Sequence, residues 1–93
     1  MNIEDCRAEI DAVDEKIIHL LNRRAELVAK IGEIKQLQGL PIYDPARENT
    51  VLSNIYNANK GPLDNETLEK FFKQIIAKSK LIESSYIETT LAS

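Results

Sequence analysis

The chain has no tryptophan and, among 93 residues, a single cysteine, a single histidine, three glycines and three prolines. One cysteine cannot close an internal disulfide, and one cysteine with one histidine cannot supply the usual four-ligand metal site. No metal and no cofactor are expected, and Cys6 is read as a small buried hydrophobe. Positive charge is not in surplus either. Twelve Lys and Arg against 15 Asp and Glu leave a net charge of −3, which disfavours non-specific nucleic-acid binding, a mode that depends on neutralised phosphates. Any anion site must be a local cluster. No apolar run reaches membrane-spanning length, and Met1, Asn2, Ile3, Glu4, Asp5 lack the basic-then-apolar pattern of a leader. The expectation is a cytoplasmic protein without membrane contact. Also missing are repeats, low-complexity tracts and the apolar/polar alternation of strands, so all-α is the only class supported.

At 43% hydrophobic and 29% charged, the composition is that of a folded chain. Residues 1–93 make one domain at the small end of what a single core can stabilise, so a partner chain is to be sought. Apolar residues recur at Ile3, Cys6, Ile10, Val13, Ile17, Leu20, Leu27, Ile31 and Ile34, alternating three and four apart as a helix seam requires. No Pro interrupts them before Pro41, which follows Gly39. Helix 1 is therefore predicted over about 3–38 and would be ~54 Å long. A globule of this size has a radius of gyration of only ~12 Å. Such a rod protrudes beyond its own fold, and its seam is most simply covered by the same seam of a second copy. Three helices per chain in an intertwined homodimeric bundle are expected. Asp44 and Pro45 fit the N-cap and first position of helix 2, about 45–57, with Val51, Leu52 and Ile55 as its stripe. The Asn-rich 57–62 segment is a connection. Asp64 caps helix 3, about 65–88, whose stripe is Leu68, Phe72, Ile75, Ile82 and Tyr86.

Each long stripe has one polar gap: Arg24 in helix 1, Ser79 in helix 3. Arg24 either snorkels from the stripe edge or faces an anion. Lys35, eleven residues on, points the same way about 16 Å along the backbone; it is either a solvated last-turn cation or a second arm of one anion site. Arg7 lies roughly 25 Å from Arg24 along the rod. The two can meet at a small ligand only across chains of an antiparallel dimer; otherwise Arg7 is a surface residue. Asp44, Arg47 and Glu48 cluster in the first turn of helix 2, with Glu48 on the buried stripe. Glu83 shares a face with Phe72, Ile76 and Ile87, where an unpaired carboxylate would be costly. His19 falls on the flank of helix 1, in solvent. No Gly-rich phosphate loop and no obvious nucleophile accompany this set. It is cationic, has hydrogen-bonding neighbours and suits a small polycarboxylate.

Across essentially its whole length the chain resembles the all-helical, type II class of chorismate mutases. The resemblance is carried by Arg7 with Asp14, Glu15 and Lys16; by Leu20 to Arg24; by Ile31 to Lys35; and by Asp44 to Glu48, all without gaps, with Ser79 and Glu83 at the family's last pocket pair. It implies rearrangement of chorismate to prephenate, in phenylalanine and tyrosine biosynthesis, without cofactor. Arg24, and Arg7 of the second subunit, would hold the two carboxylates; Lys35 would reach one carboxylate and the ether oxygen. Glu48 would take the substrate hydroxyl, with Arg47 supporting it, and Ser79 and the Asp44 region would complete the site. Lys35 and Glu83 would be the catalytic pair. At position 83 many members carry Gln, and at position 80 an apolar residue is common where this chain has Lys80. The same fold also fits an isochorismate pyruvate lyase, or a non-catalytic domain that binds chorismate or prephenate and regulates a shikimate-pathway enzyme. A plain dimerisation module would leave Arg24, Glu48 and Glu83 on apolar stripes without a reason.

Overall fold

The computed structural model describes the backbone of residues 1–92 and the side chains up to residue 85. The expectations for Tyr86 and Ile87 therefore concern side chains outside the described residues. Three helices follow one another: α1 over Ile3–Gln38, α2 over Pro45–Ala58 and α3 over Asn65–Ala92. Among the described residues there is no strand. No helix is long and apolar enough to cross a membrane.

Local chemistry sets the helix ends. Asn2 opens α1 with a reciprocal capping box: its Oδ1 accepts from the Asp5 amide at 2.8 Å, and its own amide donates to Asp5 Oδ2 at 3.2 Å. Gly39 closes α1 in the left-handed region at φ 67°, a conformation that costs other residues a clash at Cβ. The amide of Leu40 then returns to the Lys35 carbonyl at 2.8 Å, in the manner of a Schellman turn. Asp44 caps α2 through the Arg47 amide at 3.1 Å, with Pro45 behind it. Asp64 caps α3 through the Thr67 amide at 3.2 Å. α3 runs past residue 88 to Ala92, since no Gly or Pro after Pro62 stops it.

The longest dimension of the molecule is 55 Å, the length of α1 itself at ~1.5 Å per residue. Its radius of gyration is 16.8 Å, against ~12 Å for a compact chain of this size. α3 packs on α1, and α2 packs on α3. The buried side chains among the described residues are few: Val28 of α1, Ile55 of α2 and Glu83 of α3. The N-terminal half of α1 stands clear of the other helices. Ile3, Ile10, Val13, Ile17 and Leu20 are all exposed, Leu20 to 69%. Cys6 is exposed as well, contrary to the expectation of a buried hydrophobe: among the described residues of the chain nothing covers that end of the rod.

Candidate active site

The C-terminal half of α1, the start of α2 and the middle of α3 line a half-open cavity of about 430 Å³. Its apolar walls are Leu27, Val28, Ile31, Val51 and Ile76. Arg24, Lys35, Asp44, Arg47, Glu48, Ser79, Lys80 and Glu83 also line it. The two polar gaps in the helical stripes thus open into one space. The 11-residue separation of Arg24 and Lys35 places both on the cavity side of α1, and the Gly39 turn brings Ile42 and Asp44 back over the end of α1.

Arg24 Nη1 donates to Ser79 Oγ in a short hydrogen bond, and Ser79 in turn donates to the Ile75 carbonyl one helical turn back at 2.8 Å. The serine is thus oriented by its own helix and uses its lone pair to aim the guanidinium. Burial, and then the charge of Arg47, lower the Arg24 pKa from its ordinary value. Both effects disfavour the cation, so an anion placed beside these guanidinium groups relieves them.

Lys35 is no solvated last-turn cation. Its Nζ lies 2.7 Å from Glu83 Oε1 with both side chains largely buried, and it donates to the Ile42 carbonyl at 3.1 Å. Glu83, 6% exposed, therefore meets its desolvation cost with a lysine from another helix. Glu48 takes its counter-ion from Lys80, with Nζ 2.5 Å from Oε1. The expected support from Arg47 is replaced by this pair, because consecutive residues of a helix do not face each other. Lys80 Nζ also stands 5.0 Å over the Tyr43 ring, within cation–π range. The partnership of Lys80 and Tyr43 was not readable in the sequence; the only signal was a lysine on the apolar side of α3.

Arg7 is the one candidate that the chain does not bring to this cavity. It lines a shallow surface at the far end of α1 with Met1, Asn2, Ile3 and Ile10. His19 is solvent-exposed beside Glu15 at 3.8 Å. Among the described residues no group of His, Cys, Asp and Glu could hold a metal ion.

Four cations and three carboxylates face the cavity, and two of the carboxylates are already paired with lysines. The arrangement can bind a small polyanion through Arg24, Arg47 and Lys35, and it can present a carboxyl and an ammonium side by side at the Lys35–Glu83 pair. It offers no hydroxyl or thiol nucleophile next to a base.

The family described as chorismate mutase type II matches residues 6–84. The chain is 39% identical over 85 residues to the bifunctional chorismate mutase/prephenate dehydratase of Aquifex aeolicus, covering 87% of this chain and 24% of that protein. It thus spans about a quarter of the length of the bifunctional relatives it matches. The chorismate mutase of Methanocaldococcus jannaschii is 33% identical over 89 residues, 95% of this chain and 90% of that one. The crystal structure of chorismate mutase from Helicobacter pylori in complex with prephenate superposes with a TM-score of 0.82 at 34% identity, over 92% of this chain and 93% of that chain.

Proposed function

The chain belongs to the type II chorismate mutases, and from that membership we propose that it catalyses the Claisen rearrangement of chorismate to prephenate. One observation carries the reading. Arg24, Lys35, Asp44, Arg47, Glu48, Ser79 and Glu83, drawn from all three helices and their caps, converge on one cavity whose remaining walls, Lys80 apart, are apolar. The reaction breaks the ether C–O bond and forms a C–C bond between the enolpyruvyl methylene and the ring in a single electron reorganisation. It needs no nucleophile, which suits this residue set.

The protein's task is then to hold the enolpyruvyl side chain over the ring and to stabilise charge growing on the ether oxygen. Arg24, aimed by Ser79, binds one carboxylate. Lys35 turns from Glu83 and Ile42 toward the other carboxylate and the ether oxygen, which Glu83 approaches from the adjacent turn of α3. Contacts that strengthen as the ether bond lengthens raise the rate, and these are the contacts of Lys35 and Glu83. Glu48 accepts the hydrogen of the ring hydroxyl.

The second carboxylate ligand is Arg7 of another copy, in an intertwined homodimer. Support comes from the exposed seam Ile3, Ile10, Val13, Ile17, Leu20 and from the separation of Arg7 and Arg24, ~25 Å along one rigid helix. We assign the reaction to the cytoplasm, because chorismate and prephenate are dianions that do not cross a bilayer unaided. The bifunctional relatives, named for prephenate dehydratase as well as mutase, support an enzyme that consumes prephenate as a partner. The decisive assay follows loss of chorismate and, separately, release of pyruvate from isochorismate. Conversion of chorismate to prephenate is expected; pyruvate release without mutase turnover would overturn the assignment in favour of a lyase.

A further inference from the structure

Lys80 follows Ser79 directly on α3, yet it makes its contacts with the segment that opens α2: an ion pair with Glu48 Oε1 at 2.5 Å and a position 5.0 Å over the Tyr43 ring. One side chain of α3 thus ties both ends of the 43–48 stretch to the cavity wall. Lys80 engages Oε1 of Glu48, which leaves Oε2 to accept a further hydrogen bond. With side chains 37% and 29% exposed, the pair is screened by water and contributes little to global stability. Its effect is on where the carboxylate points. Glu48 shares its face with Val51 and Ile55, and without a cation beside it the carboxylate gains by turning out to solvent.

We propose that Lys80 is a positioning residue that acts through Glu48, holding the carboxylate against the cavity so that Oε2 accepts from the ring hydroxyl of the substrate. The pocket thereby selects for a cyclohexadiene dicarboxylate that carries this hydroxyl over one that lacks it. The inference rests on the mutase reading and deepens it. The hydroxyl takes no part in the bonds made or broken, so the contact is alike in substrate and transition state. Its loss falls on KM more than on kcat.

The test is steady-state kinetics of the full chain with chorismate and with its analogue lacking the ring hydroxyl. The proteins are the unmodified chain, Lys80→Met, Lys80→Arg, Glu48→Gln and the double variant Lys80→Met/Glu48→Gln. Met keeps the apolar stem over Tyr43 and removes the charge; Lys80→Gln replaces it should Lys80→Met fail to fold. Lys80→Met is expected to raise KM for chorismate about tenfold, the effect of losing a hydrogen bond to a charged group, with kcat nearly unchanged. Lys80→Arg should recover most of the loss. In the Glu48→Gln background, and with the deoxy analogue, Lys80→Met should change nothing further, since the interaction it serves is already gone. An unchanged KM in Lys80→Met would overturn the proposal. So would a full effect of Lys80→Met in the Glu48→Gln background, which would make Lys80 a direct ligand of a substrate carboxylate. No turnover by the unmodified chain would refute the mutase reading instead, so the two failures are distinguishable.

Discussion

Arg24 and Ser79, the residues that break the apolar stripes of α1 and α3, meet each other across the two helices in a direct hydrogen bond. Each gap explains the other. A long apolar residue at position 79 would fill the space into which the guanidinium projects, and a leucine at position 24 would leave the serine facing hydrocarbon.

The pair should be functionally asymmetric. Arg24→Ala removes a carboxylate ligand and is expected to lower kcat/KM by at least a hundredfold, whereas Ser79→Ala only loosens the aim and should cost about tenfold. Arg24→Lys should rescue poorly, because an ammonium lacks the planar fork. Steady-state rates of chorismate loss check this order; a Ser79→Ala loss equal to that of Arg24→Ala would contradict it.

Assembly is expected to be dimeric. Sedimentation equilibrium at micromolar concentration should give twice the 10.5 kDa chain mass. Ile10→Asp and Ile17→Asp, which place a charge on the exposed seam, should abolish the dimer, since a carboxylate cannot be buried there without a partner. A well-folded, active monomer would count against the assembly.

Site sharing between copies predicts complementation. Arg7→Ala and Arg24→Ala homodimers should each be nearly inactive, and subunit exchange between them should restore one intact site per mixed dimer while the other carries both defects. Mixtures that recover no activity would place Arg7 outside the site.

Glu83 can donate a hydrogen bond to the ether oxygen only while it carries a proton. Glu83→Gln, a permanent donor of similar size, is therefore expected to keep or raise kcat, whereas Glu83→Ala should lower it by at least about tenfold. A kcat unchanged in Glu83→Ala would leave Lys35 as the sole stabiliser of that oxygen.

The α3 cap provides a pH test of stability. Hydrogen bonds from Thr67, first its side chain and then its amide, hold the Asp64 carboxyl below its ordinary value. The folded pKa is the depressed one, so this stabilisation is complete above the unfolded value of about 3.9 and is lost as pH falls through the folded value. Asp64→Asn keeps a capping oxygen without the charge, and acid titrations of helicity should show a shallower loss for it than for the unmodified chain.

Much of this architecture is legible in the sequence because helix periodicity and punctuation are local. The helical seam from Ile3, the Gly39 turn and the Asp44–Pro45 start need only near neighbours to be interpreted. The convergence of Arg24, Glu48, Ser79 and Glu83 on one cavity could be suspected because each sits where an apolar residue belongs, and that of Lys35 because it lies three turns from Arg24 on the same side of α1. Which cation takes which carboxylate was not legible. Lys80 shares α3 with Glu83 and yet reaches across to Glu48, a choice set by the packing of α2 on α3 that no spacing encodes. Cys6 misled for the opposite reason: its apolar company on the seam signals burial, but no described residue of the same chain covers it.

The rod of α1 also works as a ruler. In the proposed assembly it sets Arg7 at one site and Arg24 at the other, so the residues between them fix both a distance and an angle. Inserting one residue between positions 7 and 24 would advance one end by ~1.5 Å and swing it through ~100°, turning Arg7 away from the partner's cavity while every local helical contact survived. Insertions of about seven residues, close to two full turns, would keep the face but move the arginine by ~10 Å. Length variation is therefore barred from this interval on geometric grounds alone, whereas the 59–64 connection between α2 and α3, which carries no such register, is free to grow or shrink.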